Sequence, residues 1–395
     1  MKRMGLLTEC IKKKLSVPDL ELELLRLISE YNKQRNTYLF LYASAAEKGI
    51  PGAMLQQSDF YTIRDMLANK TDIDKIDFYI ETLGGSGETA EEIARFLHDK
   101  FDMVSFVISG EAKSAGTIMV LSGNDILMTE TGSLGPIDAQ VPIGRSRISA
   151  YDYREWVNEK RKEAQEQGSL NPFDATMIAQ ITPGELNGII HALKFAEDLV
   201  VEWLPKYKFK KWTVTKSRKI PVTPEMKVER AKEIATELCK HSKWRSHGKS
   251  IKIRDLNEIK LDITRIDDNP ELADTVYRIQ TVCRLLFENS TIFKIFATQD
   301  EKIFRHAVAR QVANIPRQEA LPEAVEIVQH CPKCGKQHKI YAKLAPDPQI
   351  DVKLKKKGFI PFPKDSKMIC DCGYEIDLSG VKNDIEIQTG EKILT

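Results

Sequence analysis

Four short apolar runs, each leading into a stretch with helical spacing, set the pattern of the first half of the chain. Tyr38–Ala43, Lys75–Ile80, Met103–Ile108 and Asp125–Met128 are brief and rich in Val, Ile, Phe and Tyr, as buried strands are. Between them, apolar positions recur every three to four residues over Phe60–Ala68, Glu88–Asp99 and Ser114–Leu121. That alternation predicts an α/β fold around a parallel sheet. A helix over Val17–Gln34, with Leu22, Leu25 and Ile28 on one side, precedes the first strand and reads as an arm that packs on a neighbour.

After Gly144 the pattern turns helical. Tyr151–Gln167, Pro183–Tyr207 and Pro224–His241 have helical spacing, and the last two start with Pro behind Thr182 and Thr223, a capping residue before a preset first turn. Asn269–Ala309 reads as further helix from Val276, Ile279, Val282, Leu285 and Leu286. A composition shift near Pro316–Pro322 marks a linker, and Ala324–His330 and Gln337–Lys343 read as strands of a small terminal domain with a loosely ordered tail after Lys382. The expected division is an arm over 1–35, a catalytic α/β domain over 36–215, a helical extension over 216–315 and a small domain over 323–395.

Composition narrows the classes. The chain has 395 residues, more than one typical core holds, and a net charge of +2 with 29% charged residues gives no global argument for nucleic acid. Basic clusters at Lys206–Lys219 and Lys353–Lys357 read as solvated faces. There is no run of 18 apolar residues, so no membrane span is expected. Seven cysteines without a charged-then-apolar amino terminus favour the cytoplasm.

The candidate chemistry lies in two strand-to-helix turns, Thr82-Leu-Gly-Gly-Ser86 and Ser109-Gly-Glu-Ala-Lys-Ser-Ala-Gly-Thr117. Adjacent turns at one edge of a parallel sheet form a crevice. Gly84 and Gly85 let the backbone approach a ligand closely and aim N–H groups at negative charge, and Ser114 stands at a helix start that also favours an anion. Together they make an oxyanion hole beside a hydroxyl nucleophile, the two parts that acyl transfer needs. The competing reading is an ordinary capping serine beside two turn-forming glycines.

From about Tyr31 to Ile259 the sequence resembles the serine dehydrogenase proteinase family, a branch of the Clp protease and signal peptide peptidase A superfamily with the crotonase-like fold. The likeness is carried by Leu83-Gly-Gly-Ser86 with Ala90-Glu-Glu-Ile-Ala94, by Ser114-Ala-Gly-Thr117, by Leu134-Gly-Pro-Ile-Asp-Ala-Gln140, and by Lys243-Trp-Arg-Ser-His-Gly-Lys-Ser-Ile251. It implies a spiral of strand-strand-helix units, homo-oligomerisation, Ser114 as nucleophile, and an oxyanion hole from the N–H groups of Gly85 and Ala115.

The proton acceptor departs from the family's better-known branches. Where the Clp branch has its histidine after the serine, this chain has Asp138, which orients a base or caps its turn. The signal peptide peptidase branch uses lysine, and Lys160 is the candidate there, within the charged run Asn158-Glu-Lys-Arg-Lys-Glu163 that also reads as a solvated helix face. His247 matches the histidine of the family's Trp-containing block; it is a base or a loop histidine. Lys113, next to the serine, is expected to supply positive potential rather than to take the proton.

The expectation is a cytosolic serine peptidase acting on peptide or protein substrates. One rival follows from Gly85-Ser-Gly-Glu-Thr-Ala90, which fits a dinucleotide fingerprint with Glu111 as the ribose acceptor; this makes an acyl-CoA or nucleotide-binding enzyme of the same fold the alternative. A catalytically silent binding scaffold is the other.

At the far end, Cys331-Pro-Lys-Cys334-Gly and Cys370-Asp-Cys372-Gly make two close thiolate pairs and predict a zinc ribbon with structural Zn, with disulfide pairing as the alternative that a reducing compartment disfavours. The single residue inside the second pair and the long spacer are atypical, and His330 or His338 is a substitute ligand. A ribbon this small would depend on its metal.

Overall fold

The computed structural model describes residues 5–143, 146–215, 219–307, 323–389 and 391–394. Two compact units divide the chain, Met1–Ala307 and Val308–Thr395. The linker expected at 316–322 lies outside the described residues.

Seven strands of the first unit make one sheet, in the order Lys302–His306, Ile292–Ala297, Tyr38–Ser44, Lys75–Glu81, Met103–Ile108, Asp125–Met128, Thr264–Arg265. From Tyr38–Ser44 onward the pairings are parallel, and the two at the opposite edge are antiparallel. A parallel sheet is covered on both faces, so alternate side chains enter two cores rather than one core and water. Phe40, Phe78 and Phe106 stand in register with ring centroids 5.2 and 5.7 Å apart. They face Gln57–Leu67, Gly87–Lys100, Ala115–Val120, Pro183–Lys206 and Pro224–Cys239. Leu39, Leu41, Tyr79 and Val107 take the other face, under Val17–Arg35 and Pro270–Asn289.

Short second strands follow the parallel ones before each helix. Thr82 pairs with Ala112, Glu111–Ala112 pairs with Ser133–Leu134, and Leu134 pairs with Ile251. This is the expected strand-strand-helix repeat, and it places the two glycine-containing turns beyond the carboxyl ends of the main strands.

Several expectations are corrected. Val17–Arg35 is no projecting arm: Leu20, Leu24, Leu27, Ile28 and Tyr31 are buried in the unit's own second core, while Leu22 is exposed. The helix expected over 269–309 stops at Asn289, and Ile292–Ala297 and Lys302–His306 are strands. The segment Ile-Phe-Lys-Ile-Phe hides a strand's alternation because Lys294 is itself buried, donating to Asp59 Oδ2 at 2.5 Å and to the Met54 carbonyl at 2.7 Å. The stretch taken as a helical extension therefore returns to the main sheet.

In the second unit Ala324–His330 and Gln337–Lys343 pair antiparallel over their whole length, Ile360–Pro361 adds to them in parallel, and Lys367–Ile369 pairs with Glu375–Asp377. Ile340, Ala342, Phe362 and Leu378 form a small core. The tail is not loose: Ser379–Thr389 is helical, and Ile385 and Ile393 are buried. Among the described residues, no helix is long and apolar enough to cross a membrane.

Candidate active site

The first glycine turn is built to be tight. Gly84 and Gly85 have φ of +98° and +151°, and a Cβ on Gly85 would lie 2.3 Å from the Leu55 carbonyl oxygen. Leu55 N–H donates to the Gly84 carbonyl at 2.8 Å, and Ser86 N–H donates to the Leu55 carbonyl at 3.0 Å, so the turn is clamped on both sides. Only glycine meets both demands. A Cβ on Gly84 would stand 2.7 Å from the Ser114 Cβ, which brings the two turns into contact.

Ser114 has φ 49° and ψ −118°, a strained conformation for any residue with a side chain, and it precedes the helix Ala115–Val120. Its side chain makes no cap hydrogen bond. The reading of Ser114 as an ordinary cap therefore loses its basis, because a capping serine accepts from the first-turn amides. The sharp turn is held from below: Thr117 Oγ1 donates to the Ala112 carbonyl at 2.7 Å and accepts from Gly135 N–H at 2.9 Å. Among the described residues, the N–H groups of Gly85 and Ala115 donate to no other group.

His247 and Asp138 come together in the cavity that this serine lines. His247 Nδ1 lies 2.8 Å from Asp138 Oδ1, and the second Asp138 oxygen accepts from Gln140 Nε2 at 3.0 Å. The aspartate is fully buried, while the imidazole is part-exposed. With a carboxylate as acceptor, Nδ1 carries the proton and Nε2 is left as the basic nitrogen. Ser114, Ala115, Gly85, Asp138 and His247 all line one cavity of about 910 Å³. Met54, Leu55, Leu83, Ile118, Ile137, Phe195 and Ala196 supply much of its apolar wall, with His191, Gln140 and Glu88 as polar members.

Of the residues singled out from sequence, Ser114, Asp138, His247, Gly85 and Ala115 are thus gathered in one cavity, and Lys160 is not among its lining residues. Lys160 Nζ lies 2.8 Å from Asp174 Oδ2 and 2.9 Å from Glu163 Oε2. Those contacts, Asp174 first, hold its ammonium above the usual lysine range, the opposite of what a base needs. Glu111 also lies away from this cavity, facing Lys113 and Ser250, so the glycine turn lacks the ribose-binding acid that a dinucleotide site requires. Glu88 occupies the anion position at the helix start instead, accepting from Ser86 Oγ at 2.9 Å.

Sequence reasoning missed Leu55, His191 and Phe195. His191, Ala192, Phe195 and Ala196 recur at helical spacing within Pro183–Lys206, yet nothing local tells that this stripe faces a cavity rather than a core.

A strained serine that shares one cavity with a glycine-turn amide, a helix-start amide and a buried carboxylate holding an imidazole is the arrangement of a serine hydrolase. Residues 22–168 match the family of ClpP-like SDH-type serine proteinases. Ser114, Asp138 and both glycines lie inside the matched segment, and His247 lies beyond it. Two solved structures resemble the chain: a serine-to-alanine mutant of the 1510-N membrane-bound stomatin-specific protease, at 11% identity, TM-score 0.32, covering 56% of this chain and 79% of that one; and a lysine-to-alanine mutant of the same protease in complex with a substrate peptide, at 12% identity, TM-score 0.33, covering 56% and 75%. Overlaps of that size carry no argument about this site. No curated protein matches the chain.

In the second unit the four predicted cysteines meet. The Sγ atoms of Cys331, Cys334, Cys370 and Cys372 all lie within 4.8 Å of one another. Cys331 to Cys372 is 3.7 Å and Cys334 to Cys370 is 3.6 Å. A tetrahedron of thiolates about 2.3 Å from a central ion has edges of about 3.8 Å, so the donor set fits a thiophilic divalent metal. Gly335 and Gly373, at φ +74° and +79°, make the two knuckles that turn the pairs inward. His338 Nε2 lies 3.2 Å from Cys370 Sγ, next to the donor set rather than in place of one of its four thiols.

Proposed function

We propose that this protein is a cytoplasmic serine peptidase in which Ser114, His247 and Asp138 form the catalytic triad. His247 Nε2 takes the Ser114 hydroxyl proton as Oγ attacks a peptide carbonyl, and the N–H groups of Gly85 and Ala115 donate to the developing oxyanion. As the tetrahedral intermediate collapses, the imidazolium passes its proton to the leaving amine, and the acyl group stays on Oγ. Water, deprotonated by the same nitrogen, then releases the acid and restores the serine. Asp138 keeps the imidazole in the productive tautomer and stabilises its cationic form.

The observation that carries this reading is the His247–Asp138 hydrogen bond at 2.8 Å inside the cavity that Ser114 lines. The mostly apolar wall of that cavity supports a substrate presenting an apolar side chain beside the scissile bond. A fluorophosphonate probe tests the reading: labelling at Ser114 that is lost in Ser114→Ala and strongly slowed in His247→Ala is expected. Absence of labelling in folded protein would overturn it, and saturable binding of an acyl-CoA in the same cavity would favour the rival class.

The second unit is proposed as a zinc ribbon with one structural Zn on Cys331, Cys334, Cys370 and Cys372. The metal's contribution there is folding energy, since the unit's own core is small. Self-assembly of the peptidase belongs to the same proposal, supported by Phe173 and Met177, which stand exposed on the helix Pro172–Ala179.

A further inference from the structure

Lys113, directly before the nucleophile, is buried at 3% exposure, and its ammonium makes three hydrogen bonds. It donates to the Leu134 carbonyl at 3.1 Å, to the Lys249 carbonyl at 3.1 Å and to Ser250 Oγ at 2.9 Å. An ammonium has three N–H donors, and here each has an acceptor. The acceptors lie on the two segments that carry the other members of the proposed triad. Leu134 opens the loop that reaches Asp138, and Lys249 and Ser250 follow His247 almost at once.

We propose that Lys113 is a positioning residue that holds the His247 and Asp138 loops in register with Ser114, an inference that rests on the triad reading given above. The loop around His247 has little regular structure of its own: Arg245 has φ 61°, and Gly248 N–H turns back to Ser246 Oγ at 3.3 Å. It is secured upstream by Trp244 Nε1 donating to the Glu237 carbonyl at 2.8 Å, and downstream by Lys113. Leu134 and Ile251 exchange backbone hydrogen bonds of 3.0 and 2.9 Å just beyond the ammonium, so the clamp continues a two-strand contact to the catalytic loop.

A buried charge is a costly way to fill space. Burial draws the Lys113 ammonium down to about 8, with Glu111 at 3.8 Å opposing the fall and Lys252 and Lys249 adding to it. An apolar side chain would occupy the same volume without that desolvation, but it would not fix a carbonyl on each of two loops at once. Close fit adds to this: a Cβ on Gly135 would meet Lys113 Cδ at 2.9 Å, so the stem is held as well as the head. The side chain therefore acts through His247 and Asp138 rather than on substrate, and it is absent from the residues lining the cavity.

Lys113→Met and Ser250→Ala test the assignment in the full chain, with two readouts. The first is saturable fluorophosphonate labelling of Ser114, separated into limiting rate and half-saturating concentration. The second is the low-field proton NMR signal of His247 Nδ1–H against Asp138. Lys113→Met is expected to lower the limiting rate at least tenfold, to leave half-saturation within about twofold, and to shift or abolish the low-field signal. Ser250→Ala, which removes one acceptor with little risk to folding, should lower the limiting rate by a smaller factor in the same direction. Rates within twofold of the native protein, or an unmoved low-field signal in a folded variant, would overturn the proposal. If Lys113→Met does not fold, Ser250→Ala decides by the same criteria. If the native protein fails to label, the peptidase reading falls, whereas the NMR signal still tests whether Lys113 holds His247 on Asp138.

Discussion

Asp138 Oδ1 and His247 Nδ1 stand 2.8 Å apart across 109 positions of sequence. In the proposed mechanism that contact supplies the oriented base that a serine with a backbone anion site needs. The partner of Asp138 is thus one of the two base candidates read from the sequence, His247 rather than Lys160.

The proposed triad predicts a ranking of single changes. Ser114→Ala and His247→Ala should each lower kcat by about 10⁶-fold and Asp138→Asn by about 10⁴-fold, the scale such triads show. Lys160→Ala should stay within twofold of native, because its ammonium is engaged by Asp174 and Glu163. Peptide turnover or fluorophosphonate labelling measures all four; a large loss in Lys160→Ala would reassign the base.

Gly85→Ala should destroy activity before it destroys the fold. At φ +151° the new methyl would meet the Leu55 carbonyl at 2.3 Å, so the turn must open and its amide must move. A left-handed conformation adds about 1–2 kcal/mol of strain for a residue with a Cβ. Thermal unfolding set beside labelling rate separates the two effects: a variant melting near native temperature with native labelling would contradict the role given to this amide.

The buried pair of Lys294 and Asp59 should be the first unit's most sensitive polar contact. Both side chains are fully buried, and Asp59 keeps Arg305 Nη1 at 2.9 Å and the Tyr42 hydroxyl at 3.1 Å when Lys294 is removed; Lys294→Met is therefore expected to lower stability by about 1–3 kcal/mol, less than a fully stranded charge would. Replacing all three charges, as Lys294→Met with Asp59→Leu and Arg305→Met, should lose less than the Asp59→Leu single variant, which leaves Lys294 and Arg305 both without their carboxylate. Urea denaturation of the single and triple variants checks this, and equal losses in Asp59→Leu and the triple variant would show that packing, not unpaired charge, dominates.

His98 gives stability a pH dependence. Its ring stacks on Tyr207 at 3.5 Å and its Nε2 donates to the Ser122 carbonyl at 2.8 Å, and burial pushes its pKa down from 6.5 to about 4. Between those values the unfolded chain binds the proton more readily than the folded one, so stability is complete above about pH 6.5 and falls as pH drops toward 4. His98→Gln should flatten that part of the urea-stability profile. An unchanged slope would place the acid sensitivity in other groups.

For the second unit, one Zn per chain is expected by elemental analysis of protein purified without chelator. Cys334→Ser or chelation should release it, with loss of far-UV signal from the strands 324–330 and 337–343. Metal-free protein that keeps those strands would remove the structural role.

Legibility in the sequence followed the range of the interactions. The strands Asp125–Met128, Ala324–His330 and Gln337–Lys343 fall where their patterning places them, because burial on a sheet writes itself into adjacent residues. The strand Ile292–Ala297 did not, since Lys294 is buried through a carboxylate on Asp59, far away in sequence, and so breaks the apolar pattern without leaving the core. Leu22 misled in the other direction, an apolar residue on the wet side of a helix.

The same division governs the site. Sequence alone determined the parts whose chemistry is local: two glycines that a sharp turn requires, a serine at a helix start, and paired cysteines with knuckle spacing. Tertiary structure alone decided which base faces which acid, because several basic residues were eligible and only packing chooses among them. It put Lys160 in an ion-pair cluster, Lys113 beneath the loops and His247 against Asp138. The physical reason is that backbone strain and ligand spacing act over a few residues, whereas a hydrogen bond between distant loops depends on every element that holds them in place.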